Sequence, residues 1–281
     1  MAWALPQAMI AATVEVEQPL PDGKHTIGTG FLISDPAPDG RPRTVLVTAN
    51  HVFERMPGTE AHIGYRTQGK DGGWRYDPQP VIIRDASGEL WRHDPAHDVA
   101  AIEIKAPEAF AKAAIPLAWL AGGDTFAKYD IGPGDEMLVL GYPQGLSANS
   151  AGFPILRSGR VASPIEPGAV NPTFLLDFRV FPGNSGGPVF IGGALRRDGE
   201  PSNQPIQFIA GMLTQQVELN NERLEIGIVT DAEFVRDAIA LLDQPRAKPA
   251  APAAPTVVAA SATTTTATHD VSARVGHPVE D

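Results

Sequence analysis

Short apolar runs are the feature that most constrains the fold of this chain. They alternate apolar with polar positions and end at clusters of Gly, Pro, Asp and Asn. A period of two residues sends successive side chains to opposite faces of a strand, whereas an amphipathic helix needs a period near 3.6. The pattern therefore predicts an all-β protein.

Twelve such runs are predicted as strands, six in each half of the chain. The first six are Ala12–Glu17, Thr26–Ser34, Thr44–Ala49, His62–Arg66, Pro80–Asp85 and Asp98–Ile104. The second six are Glu136–Gly141, Ile155–Ala162, Thr173–Val180, Gly187–Ile191, Ile206–Met212 and Leu224–Thr230. Because residues 105–135 between the two sets carry little strand pattern, we predict two six-stranded antiparallel β-barrels, in residues 1–121 and 122–243.

The end of the chain departs from this pattern. Asp231 is a suitable N-cap, and apolar residues recur at helical spacing from Phe234 to Leu242, which predicts a C-terminal helix. From Gln244 onward the sequence contains no Leu, Ile, Met, Phe, Tyr or Trp. Such a segment cannot bury enough apolar surface to offset the entropy of ordering, so residues 244–281 are predicted to be a disordered tail.

The charge and the composition exclude several classes of partner and chemistry. The 281 residues include 33 acidic and 22 basic side chains, which gives a formal net charge of −11, and there is no cysteine. Nucleic acids and anionic membranes require clustered Lys and Arg, so proteins or small molecules are the expected partners. The lack of cysteine excludes disulfides, a thiolate nucleophile and Cys-ligated zinc.

Targeting signals are sparse. No apolar stretch approaches the ~20 residues that a membrane-spanning helix needs, so no membrane span is predicted. The N-terminus carries no Lys or Arg before its apolar residues, and Pro6 interrupts them, so no secretory signal is predicted either. This favours a cytoplasmic location over a periplasmic or secreted one.

The densest chemical signal is the run Phe181-Pro-Gly-Asn-Ser-Gly-Gly-Pro188. Its glycines surround Ser185, where a tight turn would expose the hydroxyl and direct backbone N–H groups at one point, as an oxyanion hole requires. A glycine-rich turn without catalytic function is the alternative. The choice between them depends on whether the chain also supplies a base.

A serine nucleophile needs a general base and a group that orients that base. His51 follows an apolar strand in the run Val-Thr-Ala-Asn-His, and Asp98 opens the predicted strand Asp98–Ile104. Taken singly, His51 could be a surface histidine and Asp98 a strand-boundary residue. All three residue types together are much less readily explained by chance.

The order of these residues along the chain separates two folds. The run Gly183-Asn-Ser-Gly-Gly187 also fits the nucleophile elbow of α/β-hydrolases, but that fold places its histidine after the serine. After Ser185 the only histidines are His269 and His277, both in the predicted tail. The order His51, Asp98, Ser185 is that of the chymotrypsin type, which also has two β-barrels.

These features resemble the bacterial trypsin-like serine peptidases of the chymotrypsin fold, in particular the peptidase domain of the HtrA/DegP group. The matching stretches are Gly28–Ser34, Thr48–Val52, His97–Ala100, Gly141–Pro143, Ser158–Gly159 and Pro182–Pro188. The resemblance implies two facing barrels with the active site in the crevice between them. It implies that Ser185 is the nucleophile, His51 the general base and later the acid, and Asp98 the carboxylate that orients the imidazole. The backbone N–H groups of Gly183 and Ser185 would form the oxyanion hole.

Two departures from the family pattern are informative. Digestive relatives carry aspartate before the nucleophile, where it pairs with a freed N-terminus, whereas this chain has Asn184. We therefore expect activity without N-terminal cleavage. No PDZ-like sequence follows Leu242, so peptide-triggered regulation of the HtrA kind is not implied.

Substrate specificity is predicted by analogy with the family. The resemblance places Val180, Met212 and Leu213 near the pocket for the substrate residue before the scissile bond (P1), which favours small or medium aliphatic side chains. Arg179 stands where trypsin has its pocket-base aspartate and argues against Lys or Arg at P1. The alternative for Arg179 is an exposed strand residue, because arginine is seldom buried without a partner.

No metal or cofactor is predicted. His93 and His97 are four residues apart, but Pro95 between them opposes the helix that would align them, and no third ligand is evident. The sequence thus predicts a serine endopeptidase that acts on extended or unfolded protein segments. Two alternatives stay open: a catalytically silent peptide-binding module of the same fold, and a dedicated processing peptidase in a bacterial stress or defence pathway.

Overall fold

The computed structural model describes residues 4–94, 96–166, 172–194, 206–219 and 222–245. Within these ranges the chain is mostly β. The strands are Thr13–Pro19 (β1), His25–Ser34 (β2), Thr44–Ala49 (β3), Glu60–Gln68 (β4), Trp74–Ile82 (β5), Arg84–Asp85 (β6), Gly88–Glu89 (β7), Arg92–Asp94 (β8), Val99–Ile104 (β9), Ile115–Pro116 (β10), Glu136–Gly141 (β11), Ile155–Val161 (β12), Thr173–Asp177 (β13), Gly187–Ala194 (β14), Ile206–Leu219 (β15) and Glu222–Asp231 (β16). The α-helices are Ala4–Ala12 (α1), Asn50–Glu54 (α2), Glu108–Ala113 (α3), Thr125–Lys128 (α4) and Ala232–Ala240 (α5).

The N-terminal half forms one sheet in the order β5-β4-β1-β2-β3-β9-β8, and β10 pairs in parallel with β2. The central strands β3 and β9 are almost entirely buried, as their apolar sequences require. Their antiparallel register sets Ala49 opposite Val99. The residues that follow β3 and those that precede β9 therefore meet at one end of the sheet.

The C-terminal half closes into a six-stranded antiparallel barrel in the order β11-β12-β13-β16-β15-β14. The start of β14 pairs with β15, with Gly187 opposite Leu213. This register brings the turn before β14 beside the middle of β15. The barrel strands bury many apolar side chains, among them Met137, Leu140, Phe174, Leu176 and Phe190.

The predicted strands are confirmed for the most part, because each of the twelve runs overlaps an observed strand. The prediction of two closed barrels is confirmed only for the C-terminal half. In the described residues the N-terminal sheet has eight strands and leaves β5 and β8 as unjoined edges. Pro78 and Pro80 lie within β5 and lack the N–H groups that a further strand would need, which fits an edge position.

The predicted C-terminal helix is confirmed as α5. The Asp231 carboxylate accepts the backbone N–H of Glu233 at 3.1 Å, so it is the N-cap. Phe234, Val235 and Ile239 bury the apolar face of the helix. The described residues belong to one unit that extends to Ala247. The predicted tail lies outside the described residues from 246 onward, and the boundary between 121 and 122 stays a prediction.

Helices in the described part of the chain are short, and none is long and apolar enough to cross a membrane.

Candidate active site

His51 and Asp98 meet where the β3–β9 register predicts. His51 is the second residue of α2, directly after β3, and Asp98 directly precedes β9. The backbone N–H of His51 donates to Asp98 Oδ1 at 2.9 Å, and its ring Nδ1 lies 2.7 Å from Asp98 Oδ2. A neutral imidazole that donates its Nδ1–H to a carboxylate keeps Nε2 free to accept a proton. The carboxylate thus fixes both the position and the tautomer of the ring.

Asp98 holds an unusual backbone conformation. Its φ of +52° lies in the left-handed region that favours glycine. The carbonyl oxygen of Asp98 accepts the backbone N–H of Asn50 at 3.1 Å, so both the main chain and the side chain of Asp98 bind the first turn of α2. These bonds offset the cost of the strained conformation.

The loop before Asp98 is anchored through His97. The His97 Nδ1 lies 2.6 Å from Asp94 Oδ2, and the ring stacks on Phe234 of α5 with centroids 3.8 Å apart. Thr230 Oγ1 donates to the His97 carbonyl at 3.2 Å. Although burial raises the pKa of Asp94, hydrogen bonds from the Ala96 N–H and from His97 bring that pKa below its ordinary value. The residue before Asp98 is therefore held both by its own loop, through Asp94, and by the C-terminal half, through Phe234 and Thr230.

Ser185 lies at the turn that precedes β14. Gly183 and Gly186 on either side of it have φ of +92° and +88°. A Cβ on Gly183 would overlap the Tyr142 carbonyl oxygen, and one on Gly186 would overlap that of Thr29. Only glycine satisfies both the backbone angle and the close approach at these two positions. The turn can therefore pack against both halves of the molecule and still leave the serine partly exposed.

Thr29 of β2 holds this turn from the N-terminal sheet. Its hydroxyl donates to the Gly183 carbonyl at 2.7 Å and accepts the Tyr142 N–H at 3.1 Å. Its backbone N–H donates to the Ser185 carbonyl at 2.9 Å. The Thr29 carbonyl in turn accepts the Thr48 hydroxyl at 2.7 Å. The position of the Ser185 turn thus depends on a residue from the other half of the chain.

The Ser185 hydroxyl donates to the Thr214 carbonyl at 3.2 Å. No hydrogen bond between Ser185 and His51 occurs among the described residues. Both residues nevertheless face one cleft of about 470 Å³. The cleft is lined by His51, Asp98 and Ser185, together with Val180, Thr214 and Gln216.

The four residues predicted for the P1 pocket occupy different environments. Val180 lines the cleft, whereas Met212 and Leu213 are fully buried in the barrel. The Arg179 side chain is 60% exposed and its Nε lies 3.2 Å from Glu225 Oε1. Arg179 also lies over the ring of Phe181, 5.1 Å from its centroid. Arg179 is thus exposed, as the alternative interpretation expected, but it lies just beyond the end of β13 and not within a strand.

The histidines considered for a metal site pair with separate carboxylates. His93 Nε2 lies 3.8 Å from Glu89 Oε2, and His97 binds Asp94. In the described ranges no group of three or more His, Asp or Glu side chains is arranged to hold a metal ion.

Thr29 and Thr214 were not identified from the sequence. Thr29 stands in the run Gly28-Thr29-Gly30, which indicates only a close backbone approach within a strand. The importance of Thr214 lies in its carbonyl, which every residue type possesses. Of these two residues, only Thr29 has a recognisable feature in the sequence, which is a hydroxyl-bearing residue flanked by two glycines.

Known structures share this fold. A variant of the HtrA-type protease AlgW with a tripeptide gives a TM-score of 0.53 at 16% identity over 87% of this chain and 64% of that chain. This chain thus spans less than two thirds of that protein. The Rv3671c protease from M. tuberculosis in its active form gives 0.52 at 20% identity over 88% of each chain. Curated proteins yield no match.

Identities this low show the common fold and no more. The family comparison goes further, because the model of the trypsin-like peptidase domain matches residues 28–193, more than half of the chain. The matched segment contains His51, Asp98 and Ser185 and the strands that carry them. The chain therefore belongs to the trypsin-like peptidase family.

Proposed function

We propose that this chain is a serine endopeptidase in which Ser185, His51 and Asp98 form the catalytic triad. Membership of the trypsin-like peptidase family supports protease activity. The observation that carries the finer assignment is the two-point binding of His51 by the Asp98 carboxylate, at 2.9 and 2.7 Å, in a cleft that Ser185 also lines. A base with a fixed tautomer beside a hydroxyl is what nucleophilic catalysis by serine requires.

The proposed chemistry proceeds through an acyl-enzyme. His51 Nε2 takes the proton of Ser185 Oγ while Oγ attacks the peptide carbonyl carbon. The resulting tetrahedral intermediate collapses as His51 gives that proton to the leaving amine. Water then repeats the sequence on the ester and releases the acid. Before the first step, the Ser185 hydroxyl turns from the Thr214 carbonyl towards His51, a rotamer change that is fast compared with typical turnover.

An oxyanion hole at Gly183 and Ser185 is supported by the backbone bonds around them. The Pro182 carbonyl accepts the Gln144 N–H at 2.6 Å. In a trans peptide the C=O and N–H point in opposite directions, so this bond turns the Gly183 N–H away from Gln144. Within the described residues, neither the Gly183 nor the Ser185 N–H donates to another backbone carbonyl. Two such donors aimed at a developing oxyanion are each worth roughly 10²–10³ in rate.

Extended protein segments fit this cleft as substrates. Beyond Leu213, β15 pairs only with β16 among the described residues, so its other edge at Thr214–Gln216 lies open beside Ser185. A peptide in extended conformation can add to such an edge through main-chain hydrogen bonds. Val180 supplies an apolar wall, in keeping with small or medium aliphatic side chains at P1.

Covalent labelling tests the assignment. We expect a fluorophosphonate probe to label the wild-type protein and the Ser87→Ala variant, whose serine is exposed and bonded to Asp85, but not Ser185→Ala. Because the Ser185 hydroxyl is bonded to Thr214 and not to His51, a silent peptide-binding module is the second candidate. Absence of labelling in folded wild-type protein would reject the enzyme and favour that module.

A further inference from the structure

The charge of the cleft is opposite to that of the whole protein. The chain carries a formal net charge of −11. Among the described residues, three side chains with a formal charge line the cleft, and they are Asp98, Arg55 and Arg223. The one carboxylate among them is occupied, because Asp98 binds the backbone N–H and the ring of His51. The charge that the cleft offers to a ligand is therefore positive.

Arg55 is tied to the proposed general base by the backbone. It is the C-cap residue of α2, and its N–H donates to the His51 carbonyl at 3.1 Å. The Arg55 carbonyl accepts the Thr26 hydroxyl at 3.4 Å. The guanidinium thus projects from a short helix whose other end is fixed by Asp98, and its main chain is held relative to the site of reaction.

The guanidinium of Arg55 has no partner within the described part of the chain. Its neighbour Glu54 is engaged elsewhere, since it accepts the Asn50 side-chain amide at 2.7 Å, and Asn50 also accepts the Trp91 N–H. Every other described arginine binds a carboxylate, a carbonyl or another group. An unpaired arginine that lines a cleft is available to a ligand.

We propose that Arg55 binds a carboxylate of the peptide substrate and gives the enzyme a preference for Asp or Glu close to the scissile bond. This inference rests on the proposed peptidase function. A guanidinium presents donors in a plane that match both oxygens of a carboxylate, and positive charge in a cleft concentrates anionic ligands there. The rest of the protein carries an excess of acidic side chains and repels the same substrates. We therefore expect acidic substrates to bind in the cleft. Arg223 on the barrel wall adds to the positive potential.

A substrate carboxylate has two possible sources, an acidic side chain or the C-terminus of the peptide. Cleavage of a proteome-derived peptide library, read by mass spectrometry, distinguishes them. An acidic side chain gives enrichment of Asp and Glu at a fixed distance from the cut. A C-terminal carboxylate instead gives cuts at a fixed distance from the end, which are lost when the peptides are amidated.

The quantitative test uses a matched pair of peptides that differ only by Glu or Gln at the enriched position. For wild-type enzyme we expect kcat/KM to be about fivefold higher for the Glu peptide, as befits one solvent-exposed ion pair. Arg55→Gln should bring the ratio near one, and Arg55→Glu should invert it. Arg75→Gln, which removes an exposed arginine paired with Asp71 on the β4–β5 hairpin, should leave the ratio unchanged. High salt should reduce the wild-type ratio.

The outcomes separate this inference from the proposed function. If wild-type enzyme is labelled by fluorophosphonate and cuts both peptides equally, the role of Arg55 is refuted and the peptidase assignment stands. The same conclusion follows if Arg55→Gln retains the wild-type ratio. If folded wild-type protein is neither labelled nor cuts any library peptide, the peptidase assignment fails and the role of Arg55 fails with it. The final extent of labelling reports the active fraction of each variant, so a misfolded variant is recognised.

Discussion

At the scale of single residues, the turn that carries Ser185 is held chiefly by Thr29. This side chain is fully buried, and its hydroxyl is both a donor to the Gly183 carbonyl and an acceptor for the Tyr142 N–H. It therefore joins the Ser185 turn to the end of β11 across the interface of the two halves. Removing the hydroxyl would leave two buried backbone groups without this partner, at a cost of about 1–3 kcal/mol for each.

Replacing Thr29 tests this positioning role. Thr29→Val keeps the shape of the side chain but removes the hydroxyl, so we expect fluorophosphonate labelling and kcat to fall by about tenfold or more, with a smaller change in KM. Thr29→Ser keeps the hydroxyl and should retain most of the activity. Labelling of Thr29→Val at the wild-type rate would show that the turn holds its conformation without this bond.

The sequence was most informative where chemistry restricts the residue type. Ser185, His51 and Asp98 could be predicted as a triad because a nucleophile, a base and an orienting acid admit few substitutes and because their order along the chain excludes one competing fold. Arg55 gave no such signal, since an exposed arginine after a short helix is unremarkable until its neighbours are known. Met212 and Leu213 show the converse limit, because both are buried and an apolar strand sequence does not reveal which of its residues line a cleft.

At the scale of elements, the cap of α5 carries a buried charge. Asp231 is 3% exposed and accepts the Glu233 N–H as the N-cap. Burial raises the pKa of its carboxyl to about 6, although the hydrogen bond from Glu233 opposes the shift. The folded state therefore binds this proton more tightly than the unfolded state, whose carboxyl has an ordinary pKa near 3.8. The resulting stability is fully present below about pH 4 and is lost as the pH rises through about 6.

Two variants separate the cap from the charge. Asparagine caps helices about as well as aspartate and carries no charge, so Asp231→Asn should exceed the wild-type free energy of unfolding at pH 8 by on the order of 2 kcal/mol. This advantage should shrink as the pH falls towards 4. Asp231→Ala lacks the cap and should be about 1 kcal/mol less stable than Asp231→Asn. Urea unfolding at pH 4.5 and 8 measures both effects, and a pH-independent difference between wild type and Asp231→Asn would contradict the argument.

The strands were predictable as elements, and some helices were not. The apolar runs locate β3 and β11 with their observed bounds, because a short apolar run that ends at turn-forming residues is typical of a strand. The N-terminal helix α1 was not predicted. Leu5, Met9 and Ala12 are buried, but the segment lacks a polar face, so its sequence shows no clear amphipathic period. Pro6 there marks the first turn of a helix, where a missing N–H is tolerated, and it is not an interruption.

At the scale of the whole molecule, neither half carries a complete site. The N-terminal sheet supplies His51 and Asp98, the C-terminal barrel supplies Ser185, and Thr29 links the two. The sequence predicted this division but not the open form of the N-terminal sheet. Sheet closure depends on which edges meet in space, and strand patterns record only which faces are buried.

Arg66 of β4 provides the main hydrogen-bonded link between the N-terminal elements and the C-terminal half. The guanidinium is buried without a carboxylate and lies between the rings of Phe110 and Phe153. Its oxygen partners are the carbonyls of Ile10, Ala11, Thr13 and Gly152 and the hydroxyl of Tyr142. Burial lowers the pKa of Arg66, and the nearby Tyr142 partly opposes that shift. One side chain thus joins the end of α1 and the start of β1 to the segment that follows β11.

Replacing Arg66 should therefore destabilise the whole molecule. Arg66→Met fills similar space but leaves several buried carbonyls without a donor, so we expect the free energy of unfolding to fall by about 3 kcal/mol or more. Arg66→Lys should recover only part of this loss, because an ammonium cannot reach acceptors spread over two guanidinium nitrogens. The matched control is Arg41→Gln, whose partner Glu103 is exposed, and it should change stability by less than about 1 kcal/mol. Urea unfolding midpoints measure all three. If Arg66→Met unfolds at the wild-type midpoint, the hydrogen bonds of Arg66 do not contribute measurably to holding the two halves together.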